Sequence, residues 1–289
     1  QASVYGILAC VLSLAFCYSP TVPLADALVI RLGVRHAVDY GRMRLWGSVT
    51  FAVITIVMGF VWARFGMRWM FPAATAGALA TALSASLLEE EAPVSRRTRS
   101  PWQLLVHDRE LLALFVATVL VGASLQVEFV FGSVYMQHMG GDASMVGLWN
   151  GLSAASEIPM MFIGGGLVRR LGGAPAILLS YGLLILGYFG SFLAWAPWVL
   201  LVTGSVVGAG FGLFFIATVT TFDRYAPENW SASVQAMVNV GAFGVAPFVA
   251  SFVGGLVYDA WPAGIYAVST GLSLMAAMVL MGLITRSKS

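Results

Sequence analysis

Two acidic residues lie deep inside apolar stretches of the chain, where their type and position can do chemistry. Glu128 lies near the middle of the apolar segment 111 to 138, and Glu157 lies near the middle of the segment 144 to 168. A charge at the centre of a bilayer costs about 2.5 to 3.5 kcal/mol even on insertion scales. An acid at that depth can bind and release a proton as a cavity opens and closes. The pattern indicates proton coupling or substrate contact, with a structural, hydrogen-bonded acid as the alternative.

Other polar and aromatic side chains lie within the same kind of apolar segment. Gln126 either lines a cavity with Glu128 or accompanies it on a polar helix face, so both roles stay open for Glu128. Amide side chains inside spans form interhelical hydrogen bonds or contact a ligand, and aromatic rings line a cavity or pack against helices and lipid. The candidate cavity residues of these kinds are Tyr135, Trp149, Asn150, Phe214 and Asn239.

Membrane-spanning helices must position these residues, because the composition is not that of a water-soluble protein. Of the 289 residues, 59% are apolar and 10% are charged, and the mean hydropathy is +0.87. A water-soluble domain carries about 25% charged residues. Soluble enzymes, nucleic-acid-binding proteins and secreted disulfide scaffolds are therefore excluded. The two cysteines, Cys10 and Cys17, are about 10 Å apart along a helix, which is too far for a disulfide.

Nine apolar segments are separated by charges, proline and glycine pairs, and polar clusters. The uncharged runs are as long as the roughly 20 residues that a helix needs to cross the hydrocarbon core, whereas strands of a membrane barrel alternate polar and apolar residues over about 10 positions. The sequence therefore predicts an all-α membrane protein with nine transmembrane helices. Their approximate bounds are 3 to 30, 45 to 63, 69 to 88, 111 to 138, 144 to 168, 172 to 193, 198 to 222, 230 to 257 and 261 to 285.

The positions of the basic residues predict the orientation of these helices. Thirteen of the fifteen Lys and Arg residues follow odd-numbered segments, so the positive-inside rule places those loops and the C-terminus in the cytoplasm. We expect a partial N-terminal bundle of three helices over 1 to 88, a cytoplasmic linker over 89 to 110 and a six-helix bundle over 111 to 289. Three helices missing before the first would make the two bundles equal and restore a cytoplasmic start.

No motif of metal, nucleotide or covalent chemistry occurs in the sequence. HExxH, CxxC, nucleophile-elbow and Walker patterns are absent, and the only lysine is Lys288. Gly204, Gly208 and Gly212 are four residues apart on one helix face and predict a packing seam rather than a hinge. We therefore expect no enzyme activity, no metal and no cofactor, with a proton gradient as the driving force.

A pattern in the first segments carries a resemblance to a known family. Asp26 is followed eighteen residues later by Arg44. Together with the stretch from Tyr135 to Trp149, the Glu157 segment and later glycine patterns, this passage resembles the major facilitator superfamily. The similar branch holds lactose permease, 3-phenylpropionate permease and nucleoside/proton symporters. The resemblance covers essentially the whole chain as helices four to twelve of twelve.

The resemblance implies secondary active transport, in which one bundle rocks against the other around a midplane site. It makes Asp26 and Arg44 a substrate-side ion pair; the residues alone equally allow a cytoplasmic gate or a topology-setting pair. We expect proton-coupled symport of a small organic solute by a monomer in the inner or plasma membrane. The partners are then the solute, protons and the bilayer, and no nucleic acid. The alternatives are an uncoupled facilitator or drug-type exporter and, from another class, a membrane receptor or intramembrane enzyme.

The sequence departs from the family pattern in two places. Arg169 stands where the cytoplasmic loop signature of the superfamily has an acid. The helix-ten histidine and acid of lactose permease have no counterpart among Phe211 to Phe222. Sugar specificity therefore does not follow from the resemblance.

Overall fold

A computed structural model of the chain describes residues 40–87, 108–225 and 231–286, together with Gly6, Ser13, Phe16 and Leu105. These residues are almost entirely helical, and no strand occurs among them. By its internal contacts the chain divides into two units, residues 1–50 and residues 51–289. Most of the predicted linker lies outside the described residues, so the division into bundles on either side of it stays a prediction.

Nine α-helices follow one another along the described residues, with short 3-10 and π-helical turns between some of them. They are α1 (Tyr40–Phe65), a 3-10 turn (Met67–Trp69), α2 (Met70–Ser86), α3 (Arg109–His138), α4 (Ala143–Leu171), α5 (Gly173–Phe192), α6 (Pro197–Tyr225), α7 (Ser231–Val240), a π-helical turn (Gly241–Val245), α8 (Ala246–Ala260) and α9 (Gly264–Arg286).

Seven of the described helical spans are long and apolar enough to cross a membrane. They are α1 from Trp46 onward, α3, α4, α5, α6, the continuous stretch Met237–Ala260 and α9 up to Ile284. The all-helical membrane fold is confirmed, but the count of nine transmembrane helices is wrong for the described residues. The span predicted over 3 to 30 lies outside them. The span predicted over 69 to 88 forms α2, a helix of 17 residues that is not among the seven.

Aspartate side chains begin two of the long helices. The Asp108 carboxylate accepts hydrogen bonds from the backbone N–H groups of Glu110 and Leu111, at 2.9 and 3.1 Å. The Asp142 carboxylate accepts one from the backbone N–H of Met145, at 2.9 Å, and one from the Ser144 hydroxyl, at 2.6 Å. Both bonds favour the charged carboxylate, with the Ser144 contribution the larger, and they lower the pKa of Asp142. These caps fix where α3 and α4 enter the bundle.

The glycines of α6 pack directly against α4, and the predicted packing seam is confirmed. A Cβ atom on Gly204 would overlap the indole ring of Trp149, and one on Gly208 would overlap the backbone oxygen of Ser153. The third glycine, Gly212, meets the main chain of α4 one turn further along. Because both sets are spaced four residues apart, two long helices remain in close contact over several turns.

A second close approach joins the later part of α1 to the beginning of α4. A Cβ atom on Gly59 would lie 2.7 Å from the Cα of Gly147 and 3.0 Å from the backbone oxygen of Ala143. Gly151, one turn beyond Gly147, meets the side chain of Ile56 in the same way. Helix α4 therefore packs backbone to backbone against α1 on one side and α6 on the other.

Candidate functional site

The carboxyl group of Glu128 lies inside the helical bundle, between α3, α5 and α9. The residue is only 8% exposed. The hydroxyl of Tyr188 on α5 lies beside it, and the hydroxyl of Tyr266 on α9 lies within its electrostatic reach. Both tyrosines are fully buried, and neither hydroxyl meets another polar atom of the described residues at hydrogen-bonding geometry. The carboxyl group of Glu128 and two phenol groups therefore lie close together inside the bundle.

Serine hydroxyls join α3 to α9 one helical turn away from Glu128. The Ser124 hydroxyl donates to the carbonyl oxygen of Val121 at 2.8 Å. From α9, the Ser269 hydroxyl donates to the Ser124 carbonyl oxygen at 3.1 Å, and the Ser273 hydroxyl donates to Ser124 Oγ at 3.2 Å. Interhelical bonds of this kind contribute about 0.6 kcal/mol each on average. They hold the two helices in register around the buried acid.

An aromatic contact continues this polar region along α3. The ring of Tyr135 meets the ring of Tyr266 edge to face, with centroids 5.3 Å apart. Tyr135 also stacks on His138, the last residue of α3, at 6.2 Å. The buried residues around Glu128 that are described above are called the polar cluster. They are Ser124, Glu128, Tyr135, Tyr188, Tyr266, Ser269 and Ser273.

Glu157 lies in a different part of the bundle, where α4 packs against α6. The residue is half-buried. A Cβ atom on Gly212 would lie 2.7 Å from its backbone oxygen. Two residues later Pro159 interrupts the helical hydrogen bonds, since proline has no N–H to donate to the carbonyl oxygen of Ala155. The two midplane acids of the sequence analysis are therefore placed in separate surroundings.

The remaining candidate residues from the sequence are distributed over several roles. The Trp149 indole is buried between Gly132 of α3 and Gly204 of α6, which makes it a packing residue. Phe214 is buried, and the centroid of its ring lies 6.1 Å from the centroid of the Tyr181 ring.

The other candidates are polar residues of lower burial or lie where no side chain is described. Asn150 Nδ2 donates to the carbonyl oxygen of Val146 at 3.0 Å within α4. Gln126 is half-buried and Asn239 is exposed. Asp26 and the side chain of Arg44 lie outside the described residues, so their pairing stays a prediction.

The sequence analysis did not select five residues of the polar cluster, which are Ser124, Tyr188, Tyr266, Ser269 and Ser273. A signal was present in α9, because its three members of the cluster are spaced three and four residues apart and so lie on one helix face. Ser124 likewise precedes Glu128 by one turn. Polar side chains repeating at helical spacing inside an apolar span mark the face that turns toward other helices.

Seven helices that are long and apolar enough to cross a membrane, with an ionisable residue enclosed among them, define an integral membrane protein. The chain belongs to the MFS_1 like family, whose family model matches residues 1–267. It is 27% identical over 278 residues to the maltose permease of Geobacillus stearothermophilus, covering 94% of this chain and 70% of that protein. It is 26% identical over 270 residues to the probable 3-phenylpropionic acid transporter of Escherichia coli, covering 90% and 69%.

The remaining comparisons agree with this family. The uncharacterized transporter YwbF of Bacillus subtilis is 23% identical over 248 residues, and this chain spans 61% of its length. Among solved structures, the nucleoside transporter NupG superimposes with a TM-score of 0.82 at 17% identity, over 98% of this chain and 78% of that one. The resemblance to the major facilitator superfamily is confirmed. The chain is a membrane transporter and not an enzyme, and its partner is a small-molecule solute.

Proposed function

We propose that the protein is a proton-coupled symporter of a small organic solute and that Glu157 is the acid that exchanges the proton. The observation that supports this most is the position of Glu157, which is half-buried near the middle of a membrane-spanning helix. Ionisable residues at such depth are costly and are typical of proton relays and substrate pathways.

The different surroundings of the two acids favour Glu157 over Glu128 as the acid that couples transport to protons. A coupling acid must meet water or solute on one side of the membrane and then on the other. Glu157 retains exposed surface and lies two residues from a proline that leaves a backbone carbonyl without its helical donor. Glu128 is enclosed by α3, α5 and α9 together with Tyr188 and Tyr266. Its proposed role is to bind a proton or to hold these three helices together.

The relatives bear on the solute only in a general way. Two are named for maltose and 3-phenylpropionic acid, which share small size and polar groups that a midplane site can bind. Asp26 and Arg44 stay the proposed substrate or gating pair.

The proposal also covers the orientation of the protein, its coupling ion, its oligomeric state and its membrane. We propose a cytoplasmic C-terminus, and the arginines at the ends of α4 and α6 support it through the positive-inside rule. The coupling ion is the proton, and the functional unit is a monomer in the inner or plasma membrane.

The test is uptake into proteoliposomes that contain the full chain, with a panel of labelled sugars, aromatic acids and nucleosides, with and without an imposed pH gradient. The variant Glu157→Gln keeps the size and most of the hydrogen-bonding capacity of the side chain but cannot ionise, and it is assayed with the solute that the parent transports. It should abolish accumulation against a gradient and spare counterflow, which needs no net proton movement. Asp259→Asn, a matched change at an exposed acid at the end of α8, should leave both unchanged.

Other outcomes would contradict specific parts of the proposal. Accumulation by Glu157→Gln at the parental rate would remove Glu157 as the coupling acid, and loss of accumulation in Glu128→Gln alone would assign that role to Glu128. Uptake that ignores the pH gradient in the parent would favour an uncoupled facilitator.

A further inference from the structure

A cavity of about 280 Å³ lies at one end of the bundle, between α3, α5, α6 and α9. One side of it is apolar and consists of Leu114, Leu280 and Leu283. The other side consists of the first two residues of α5 and of Thr221 and Arg224 near the end of α6. The polar side concentrates hydrogen-bond donors, and none of the described residues that line the cavity is acidic.

Thr221 is a buried residue whose hydroxyl lacks a partner. It is 5% exposed, and its Oγ1 makes no hydrogen bond with another part of the described chain. The neighbouring Thr220 behaves as threonine normally does in a helix, because its hydroxyl donates to the carbonyl oxygen of Ile216 at 2.7 Å. Buried hydroxyl groups are normally hydrogen-bonded, so a bound group that accepts from Thr221 would satisfy this hydroxyl.

The N-terminus of α5 faces the same hydroxyl. Gly172, the residue before the helix, has a φ of +92° and offers no side-chain cap to the first turn. A Cβ atom on Gly173 would collide with the Thr221 hydroxyl, so the absence of a side chain there brings the helix start and the hydroxyl together. The first N–H groups of a helix carry partial positive charge and bind anions.

Arg224 adds a full positive charge to this end of the cavity. It follows Thr221 by three residues and so lies on the same side of α6. Arginine presents several N–H donors in a fork that matches phosphate oxygens. A hydroxyl, a helix N-terminus and a guanidinium group therefore converge on one small volume.

We propose that this cavity binds a phosphate group and that its source is an anionic phospholipid. The phosphate would accept hydrogen bonds from the Thr221 hydroxyl, from the backbone N–H groups at the start of α5 and from Arg224. The leucine side fits hydrocarbon, and Leu283 also lines a neighbouring cavity of about 460 Å³, so the apolar wall continues beyond the first cavity. Basic pockets between membrane helices bind anionic headgroups by this chemistry.

The test measures lipid binding to the purified full chain by native mass spectrometry in neutral detergent, with phosphatidylglycerol, phosphatidylcholine and inorganic phosphate as separate probes. Phosphatidylglycerol should bind, and Arg224→Gln should weaken it about tenfold, the usual effect of losing a charge-assisted hydrogen bond. Thr221→Val keeps the shape without the hydroxyl and should weaken it about fivefold. The matched controls Arg170→Gln and Thr220→Val change an exposed arginine and a neighbouring hydroxyl outside the cavity and should have no effect.

Each other result overturns all or part of the proposal. Equal weakening by Arg224→Gln and Arg170→Gln would reduce the binding to diffuse surface charge. Competition by millimolar inorganic phosphate without selectivity for phosphatidylglycerol would make free phosphate the ligand. Binding of phosphatidylcholine as tight as that of phosphatidylglycerol would overturn the anionic phospholipid as the ligand. No effect of Thr221→Val in a protein whose thermal unfolding is unchanged would exclude the phosphate site itself.

Discussion

Gly212 of α6 lies directly against the main chain of Glu157 on α4, with 2.7 Å between the position of a Cβ at 212 and the Glu157 backbone oxygen. The proposed coupling acid is therefore held in place by a helix contact that tolerates no side chain. Any change in the spacing of α4 and α6 moves the backbone that carries the carboxyl group.

Gly212→Ala should accordingly destabilise the protein and impair transport. An added methyl group in a closely packed contact costs about 1 to 3 kcal/mol, which outweighs the roughly 1 kcal/mol that alanine gains over glycine in a helix. The control is Gly182→Ala in α5, where no atom of the described residues lies within 4 Å of the added atom. Thermal unfolding in detergent should show a lower midpoint for the first variant and an equal or higher one for the second. An unchanged midpoint for Gly212→Ala would contradict the close packing.

The carboxyl of Glu128 and the hydroxyl of Tyr188 should be energetically coupled. A double-mutant cycle with Glu128→Gln and Tyr188→Phe should give a coupling energy of about 0.5 kcal/mol or more, the range of polar contacts between membrane helices. Tyr181→Phe is the matched comparison, because the hydroxyl of this second buried tyrosine of α5 lies beside Thr118 rather than beside Glu128. The measurement is the free energy of unfolding in mixed micelles. Equal coupling energies for the two tyrosines would contradict the specific placement of Tyr188.

The sequence predicted the helices well but could not predict these partners. Hydropathy and charge are local properties, so the bounds of most helices followed from them, and the glycine spacing in α6 was visible as a seam within one helix. The pairing of Glu128 with Tyr188 and Tyr266 depends on which helices are neighbours and on how each is rotated. Neither the neighbours of a helix nor its rotation can be predicted from the sequence of that helix alone.

The cap on α4 should make a small contribution to stability that depends on pH. Hydrogen bonds from Ser144 and Met145 lower the folded-state pKa of Asp142 below that of an unfolded aspartate, about 3.9. The stabilisation is therefore present above pH 4 and is lost as the pH falls through the lowered folded-state value. Asp142→Asn keeps a capping oxygen without ionising, so the parent should lose stability relative to this variant only in that acidic window. Unfolding midpoints between pH 3 and 7 test this, and a parallel pH dependence of both proteins would contradict it.

The orientation of the bundle can be tested at two exposed positions on opposite ends of described helices. Gln137 lies near the end of α3, and Arg170 lies near the end of α4, the next helix along the chain. Because α3 and α4 are consecutive membrane spans, these ends face opposite sides of the membrane, and the positive-inside rule assigns the Arg170 end to the cytoplasm. With Cys10 and Cys17 first replaced by alanine, Gln137→Cys should react with a membrane-impermeant maleimide in intact cells. Arg170→Cys should react only after the membrane is opened. Labelling in the reverse order would invert the topology and place the proposed phosphate site on the outer face.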